Sequence, residues 1–216
     1  MAAGSCNTSV NSRLPFSHHT VMIDPKQHIR DLKAAFRLSM NGVASQFMRQ
    51  HGLNYRVNFG VELPRIETIV AERLALLEAE NATPCERRAL SQSLWNEDVR
   101  ESKIVALMLM PEGEFTADFA ELWADSIPNV EIARLFVSHL LLRLPYAVDL
   151  AFRWIASEHD WRQVCGLLLA ARLSDKGVVF EQRSMNELKD QSSASLSSKN
   201  VFISQAARAL SQRICP

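Results

Sequence analysis

The sequence lacks net charge: 24 Lys and Arg are matched by 24 Asp and Glu, so the chain as a whole is neither a basic nucleic-acid arm nor a disordered acidic tail. It lacks any apolar run long enough to cross a membrane. The first 23 residues, rich in Ser, Asn, His and Ala, have no apolar core of the secretory kind and read as a flexible tail. Cys6, Cys85, Cys165 and Cys215 stand far apart without a Cys-x-x-Cys pair, which fits reduced thiols in a cytoplasmic protein, Cys165 being a small core residue. His18 and His19 fall in the tail, and His51, His139 and His159 have no partner at ligand spacing, so neither a metal nor a cofactor is expected. Strand-like alternation persists nowhere, which leaves an all-α chain.

What is present is a repeat. From Asp98, a step of 31 residues reaches Asn129 and another reaches Asp160. All three are good helix N-caps, able to accept from the unpaired N–H groups of a first turn. Glu101 and Gln163 follow the two aspartates at capping-box spacing. Each cap opens an apolar run at the same offset: Ile104, Val105 and Leu107; Leu135, Phe136 and Val137; Leu167, Leu168 and Leu169. A Trp closes the segment ahead of each cap, at Trp95, Trp123 and Trp154, placed for packing between repeats. Two helices per unit at this period imply an α-solenoid of four or five antiparallel helix pairs, whose units bury their apolar faces only by stacking.

Ahead of the repeats, Asp24-Pro25 with Gln27 starts a helix whose apolar stripe runs through Ile29, Leu32, Phe36, Met40, Val43 and Phe47, with Asn41-Gly42 as a break point. Leu53 to Arg65 reads as an ordered loop with Gly60 in a backbone conformation that other residues avoid. Pro64 then opens a helix, and Thr83-Pro84-Cys85-Glu86 is a capping box. The solenoid is bounded at residues 24–190, followed by a Ser-rich linker at 191–199 and a C-terminal helix at 200–216 that Asn200 caps. Charge is uneven: seven basic against two acidic residues over Lys26 to Arg65, five against fourteen over Ile66 to Glu131, and eleven against seven from Ile132 onward.

Two stretches resemble the HEAT-like-repeat DNA alkylation repair family, the AlkD-like alkylpurine DNA glycosylases. Phe59-Gly60-Val61-x-x-Pro64 is similar to that family's entry into an early helix, and Leu94-Trp95 followed by Arg100-Glu101 and Ala106 is similar to its Trp, Arg-Glu, Ala series. The match spans roughly Ile29 to Leu173. The resemblance implies a right-handed superhelix of helix pairs whose concave face holds duplex DNA bearing N3- or N7-alkylated purines, and cleavage of the base–sugar bond. That reaction needs a carboxylate near an oxocarbenium-like sugar, aromatic walls and basic groups on the flanking phosphates.

The family's Trp and Asp one helical turn apart have no counterpart near Asn129 to Arg134; Arg134 stands where the acid would be, leaving Asp125 and Glu131 as candidate carboxylates. The family's Trp-x-Arg-Arg becomes Trp161-Arg162-Gln163-Val164. Arg100, Arg134 and Arg162 fall in the first or second turns of second helices, where N–H groups and positive ends favour phosphate, and are the expected DNA contacts, with Trp161 as a stacking residue. The alternative for these arginines is an ion pair with Glu101, Glu131 or Asp160. Three functions follow: a monomeric repair protein that binds alkylated duplex DNA and excises the base, a catalytically silent binder of DNA structure, or a scaffold for a protein partner.

Overall fold

The computed structural model describes residues 23–214, which form eleven α-helices. Residues 1–22, with Cys6, His18 and His19, lie outside the described residues, as does Cys215, whereas Ile23, counted above with the tail, is buried and donates its N–H to Glu86 at 3.1 Å. None of the described helices is long and apolar enough to cross a membrane.

Helix α1 (Pro25–Leu38) starts as its sequence predicts, with the Asp24 carboxylate accepting from the Lys26 N–H and proline in the first turn. Gln27 does not complete a capping box; it bonds instead to Arg30 and Asp31, one turn along. The break at Asn41-Gly42 is real: α1 stops at Leu38, and Asn41 caps α2 (Gly42–Gln50) by accepting from Ala44 N–H at 3.0 Å. The turn ends the continuous apolar stripe. Leu32 and Phe36 are fully buried, whereas Met40, Val43 and Phe47 are 61, 80 and 59% exposed.

The segment between α2 and α3 (Leu63–Ala79) is an ordered loop fastened at both edges. On one side the Phe59 carbonyl accepts from Asn41 N–H, and the Ser45 hydroxyl donates to the Asn58 carbonyl at 2.8 Å. On the other, Val57 pairs with Val99 in an isolated parallel bridge. Gly60 sits at φ +71° where the loop crosses α2, and a Cβ there would lie 2.2 Å from the Asn41 carbonyl oxygen. Only glycine meets both conditions.

The stack then proceeds through α4 (Pro84–Trp95), α5 (Arg100–Leu109), α6 (Ala117–Asp125), α7 (Val130–His139), α8 (Ala147–Ile155), α9 (Asp160–Asp175), α10 (Gln182–Leu196) and α11 (Val201–Ile214). Thr83 and Glu86 form the reciprocal capping box at the head of α4. Helices α4, α8 and α10 pack on their successors α5, α9 and α11. Helices α3, α5, α7, α9 and α11 pack each on the next to form one continuous layer. This is an all-α, HEAT-like helical repeat solenoid.

The 31-residue period reappears as contacts between repeats. The Trp95 indole donates to Ser126 Oγ and the Trp123 indole to Gln92 Oε1, each across 31 residues. The Tyr146 hydroxyl donates to the Phe115 carbonyl across the same interval. Trp95 and Trp123 stack with centroids 4.3 Å apart and planes within 1°, and Phe115, Phe136 and Trp154 continue the aromatic core. All three tryptophans are at most 2% exposed, so they are packing residues. Cys165 is fully buried, as expected.

Only one of the three repeat caps acts as such. Asn129 accepts from Ile132 N–H at 3.1 Å. Asp98 instead receives Arg56 N–H, while the Arg100 N–H it was expected to help satisfy goes to the Val57 carbonyl; the docked loop has taken over the capping role. Asp160 is the first residue of α9 and receives Asn200 Nδ2, and Gln163 donates to the Ile155 carbonyl and Ser195 Oγ. The Ser-rich stretch is no linker: α10 runs to Leu196, and the Ser192 hydroxyl, 1% exposed, donates to the Ala207 carbonyl at 3.0 Å. Small side chains there let α10 lie close against α11, and a hydroxyl bonded to a carbonyl satisfies its own burial. Asn200 does cap α11, accepting from Phe202 N–H at 2.9 Å.

Two glycines separate backbone strain from steric overlap. Gly52 has φ +84° with nothing near its missing Cβ, so Gly52→Ala should cost only the left-handed strain, about 1 to 2 kcal/mol. Gly60→Ala should cost clearly more in urea denaturation, because the added carbon meets two backbone atoms of the α2 turn. Equal losses would show that the loop shifts freely.

Candidate nucleic-acid interface

The two stretches that carry the family resemblance meet in space. Glu101 is completely buried, and its carboxylate accepts from Phe59 N–H and Val61 N–H, both at 3.2 Å. The neighbouring Arg100, 3% exposed, donates through Nη1 to the Val61 carbonyl at 2.9 Å. Its Nε and Nη2 grip the Glu131 carboxylate at 3.0 and 2.6 Å, across one repeat. Burial works against the Arg100 charge, but the bonds to Glu131 and the charge of Glu101 outweigh it and hold its pKa above the ordinary guanidinium value. Tyr55 lies on the same loop and accepts from Asn129 Nδ2 at 2.8 Å; burial pushes its phenol up to about 12.

This arrangement corrects the expectation for Arg100 and changes that for Glu131. Arg100 is inside the protein with its donors committed, so it does not reach phosphate. Glu131 is the acid that neutralises it. The second pair behaves alike nearer the surface: Arg162 donates Nε and Nη2 to the two Asp125 oxygens, each at 2.7 Å, and Nη1 to Glu121 at 3.3 Å. That hydrogen bonding holds the Asp125 carboxyl below the usual range, with His159 3.7 Å away adding to it. Two candidate cations have therefore paired with the two candidate carboxylates. Trp161 is half-buried and stacks on Phe202 at 5.5 Å, so it packs α9 against α11 rather than standing exposed.

Arg134 behaves differently. It is exposed and has no acidic partner among the described residues. With Val137 it borders a hollow of about 240 Å³ between α7, α9 and α11, completed by Leu168, Ala171, Arg172, Ala209 and Arg213. Arg213 donates to Asp175 at 2.6 Å, and Arg172 lies 3.7 Å from the same carboxylate. Three guanidinium groups thus border the hollow, and two of them share Asp175, whose carboxyl is held low chiefly by its bond to Arg213. Sequence reasoning missed Arg172 and Arg213, although a signal existed. Positions 134 and 137, 168, 171 and 172, and 209 and 213 each share one helix face at three- or four-residue spacing.

The two arginine pairs should differ sharply in stability. Arg100→Ala leaves Glu101 and Glu131 uncompensated and should lower unfolding free energy by about 3 to 5 kcal/mol. Arg162→Ala, in a pair open to solvent, should lower it by about 0.2 to 1 kcal/mol. Denaturant titration of both variants checks the contrast, and a larger loss for Arg162 would reverse the assignment. Because the Asp125 pKa is depressed in the folded state, its contribution is present above the unfolded carboxylate pKa of about 3.9 and is lost as pH falls through the folded value. Carboxyl NMR titration should find Asp125 among the last acids to protonate, and Arg162→Ala should raise its midpoint.

The family model described as DNA alkylation repair enzyme matches residues 32–209. No curated protein matches the sequence. The structure is similar to a solved member of a family of proteins related to the HEAT-like repeat DNA glycosylases with affinity for branched DNA structures. The two share 14% identity at a TM-score of 0.70, with 89% of this chain and 76% of that chain covered. With the motif loop docked on Arg100 and Glu101 and the family match running through all but the two ends of the chain, this protein belongs to the DNA alkylation repair enzyme family.

Proposed function

We propose that this chain is a DNA-binding member of its family that holds DNA without excising a base. The observation that carries the reading is the distribution of charge. Asp125 and Glu131 are each held by a bidentate arginine, while Arg134, Arg172 and Arg213 gather around one hollow. A carboxylate that stabilises a cationic sugar must keep its negative potential for that sugar. Here the potential is already spent on Arg162 and Arg100. The arginine-rimmed face has what backbone binding needs: fixed cations on rigid helices, with Arg134 free to exchange its counterion for a phosphate. The affinity of the similar protein for branched DNA supports a partner with structure beyond a plain duplex.

If all three arginines contact phosphates, the logarithm of affinity should fall with the logarithm of salt at a slope of about −2.7. Arg134→Gln should weaken binding to every DNA sequence alike and reduce that slope by about one. Release of N3- and N7-methylated purines from methylated duplex DNA should stay at the spontaneous rate. Release above that rate would overturn the silent reading and send the search to a carboxylate that moves on binding. Affinity that ignores salt and Arg134 would remove DNA from this face.

A further inference from the structure

We propose that the hollow between α7, α9 and α11 receives a single unpaired nucleotide, its base against the apolar floor and its phosphate on the arginine rim. The proposal rests on the DNA-binding reading and names what that site takes. Phosphate binding alone does not account for the shape of the site. The floor is apolar: Val137 is 1% exposed, Ala171 3%, and Leu168 and Ala209 are half-buried. A surface that only tracked a backbone would leave Leu168 and Ala209 partly facing water under the arginines, with nothing to cover them.

The size of the hollow narrows the ligand. At about 240 Å³ it is smaller than the roughly 300 to 1,000 Å³ of pockets for drug-sized ligands. A second hollow of about 50 Å³ shares Arg134, Leu168 and Ala209 and extends toward Val164 and Phe202. Together they suit one flat base better than a dinucleotide. Two of the lining residues, Ala171 and Ala209, make the space by being alanine.

Charge selects the class of ligand. Arg134, Arg172 and Arg213 border the hollow, and among the described acids Asp175 pairs with the last two. The ligand is therefore anionic as well as apolar. Guanidinium planes also stack on exposed bases, so the rim can hold the base edge as well as the phosphate. A continuous duplex presents no unstacked base and would leave the hollow empty. A bulge, a flap or the centre of a junction presents one. The site thus supplies a physical reason for preferring irregular DNA over a plain duplex, independent of base-edge readout.

The experiment compares binding of the full chain to a plain duplex, the same duplex with one bulged adenosine, and the same duplex with an abasic bulge, by fluorescence anisotropy at fixed salt. The adenosine bulge should bind about 10-fold more tightly than the abasic bulge, the factor that one stacked base supplies. Ala209→Leu fills the hollow without altering charge; it should abolish that difference while preserving duplex affinity and its salt slope. In a second arm, deoxyadenosine monophosphate is titrated into the wild-type chain with labelled alanine methyls. It should shift the Ala171 and Ala209 methyls, whereas deoxyribose 5-phosphate should not. Equal affinity for the two bulges, or unmoved methyls, overturns the nucleotide site while leaving DNA binding intact. Failure to bind any of the three duplexes instead removes the DNA-binding reading, and the methyl titration then decides the hollow by itself.

Discussion

The buried Arg100, clamped between Glu101, Glu131 and the Val61 carbonyl, is the contact on which the N-terminal half of the solenoid depends. A guanidinium with 3% exposure is tolerable only when its charge and donors are matched, because desolvating an unpaired ion costs several kcal/mol. The matching groups come from three places: the loop before α3, the same turn of α5, and the start of α7. Satisfying one side chain therefore fixes the register of three segments. The loop in turn positions α2, through Asn41 on Phe59 and Ser45 on Asn58. The sequence motif and the architecture have a single cause here, a pair of buried charges that have to be neutralised together.

Further along the chain the same task falls to aromatic packing. The Trp95–Trp123 stack, with its T-shaped contact to Phe115 and tilted contacts to Phe136, joins successive repeats through large apolar areas, and the indole N–H groups of Trp95 and Trp123 find partners one period away. Lys103 lies beneath this stack, its ammonium 4.8 Å from the Trp95 ring and donating to the Trp95 carbonyl. Burial lowers its pKa. Where α8 meets α9, Gly166 allows the helices to touch: a Cβ there would lie 2.7 Å from Ile155 N. The C-terminal pair relies on Ser192 in place of bulk. The repeats share a period while their cores use different means to close the same gap.

These packing solutions also shape the charge of the surface. Once Glu131 is drawn in to Arg100 and Asp125 is tied to Arg162, the middle of the chain presents fewer free charges than its fourteen acidic residues suggest. Arg134, Arg172 and Arg213 border one hollow on the last three helices of the continuous layer, sharing the single acid Asp175 between the last two, within the segment where basic residues outnumber acidic ones eleven to seven. The places from which a carboxylate might act are occupied by structural ion pairs, and the open face holds arginines over apolar side chains.

The sequence by itself determined the helices, the repeat and the family. Period, tryptophan placement and the caps at Asp24, Thr83, Asn129 and Asn200 are local properties, governed by side chains within a turn or two of the backbone they satisfy. It did not determine which charges remain free, because ion pairing joins residues 31 or 37 positions apart, and several acids lay in range of each arginine. Nor did it distinguish Asp98, displaced from capping by a loop 42 residues earlier, from Asn129, which caps as expected. Arg134 was legible as a candidate but Arg172 and Arg213 were not, since they border one hollow only when α7, α9 and α11 lie side by side. Tertiary structure decided the placement of charge because a guanidinium taken out of water has to be matched by a carboxylate, while the same side chain on an open helix face keeps its charge in solvent.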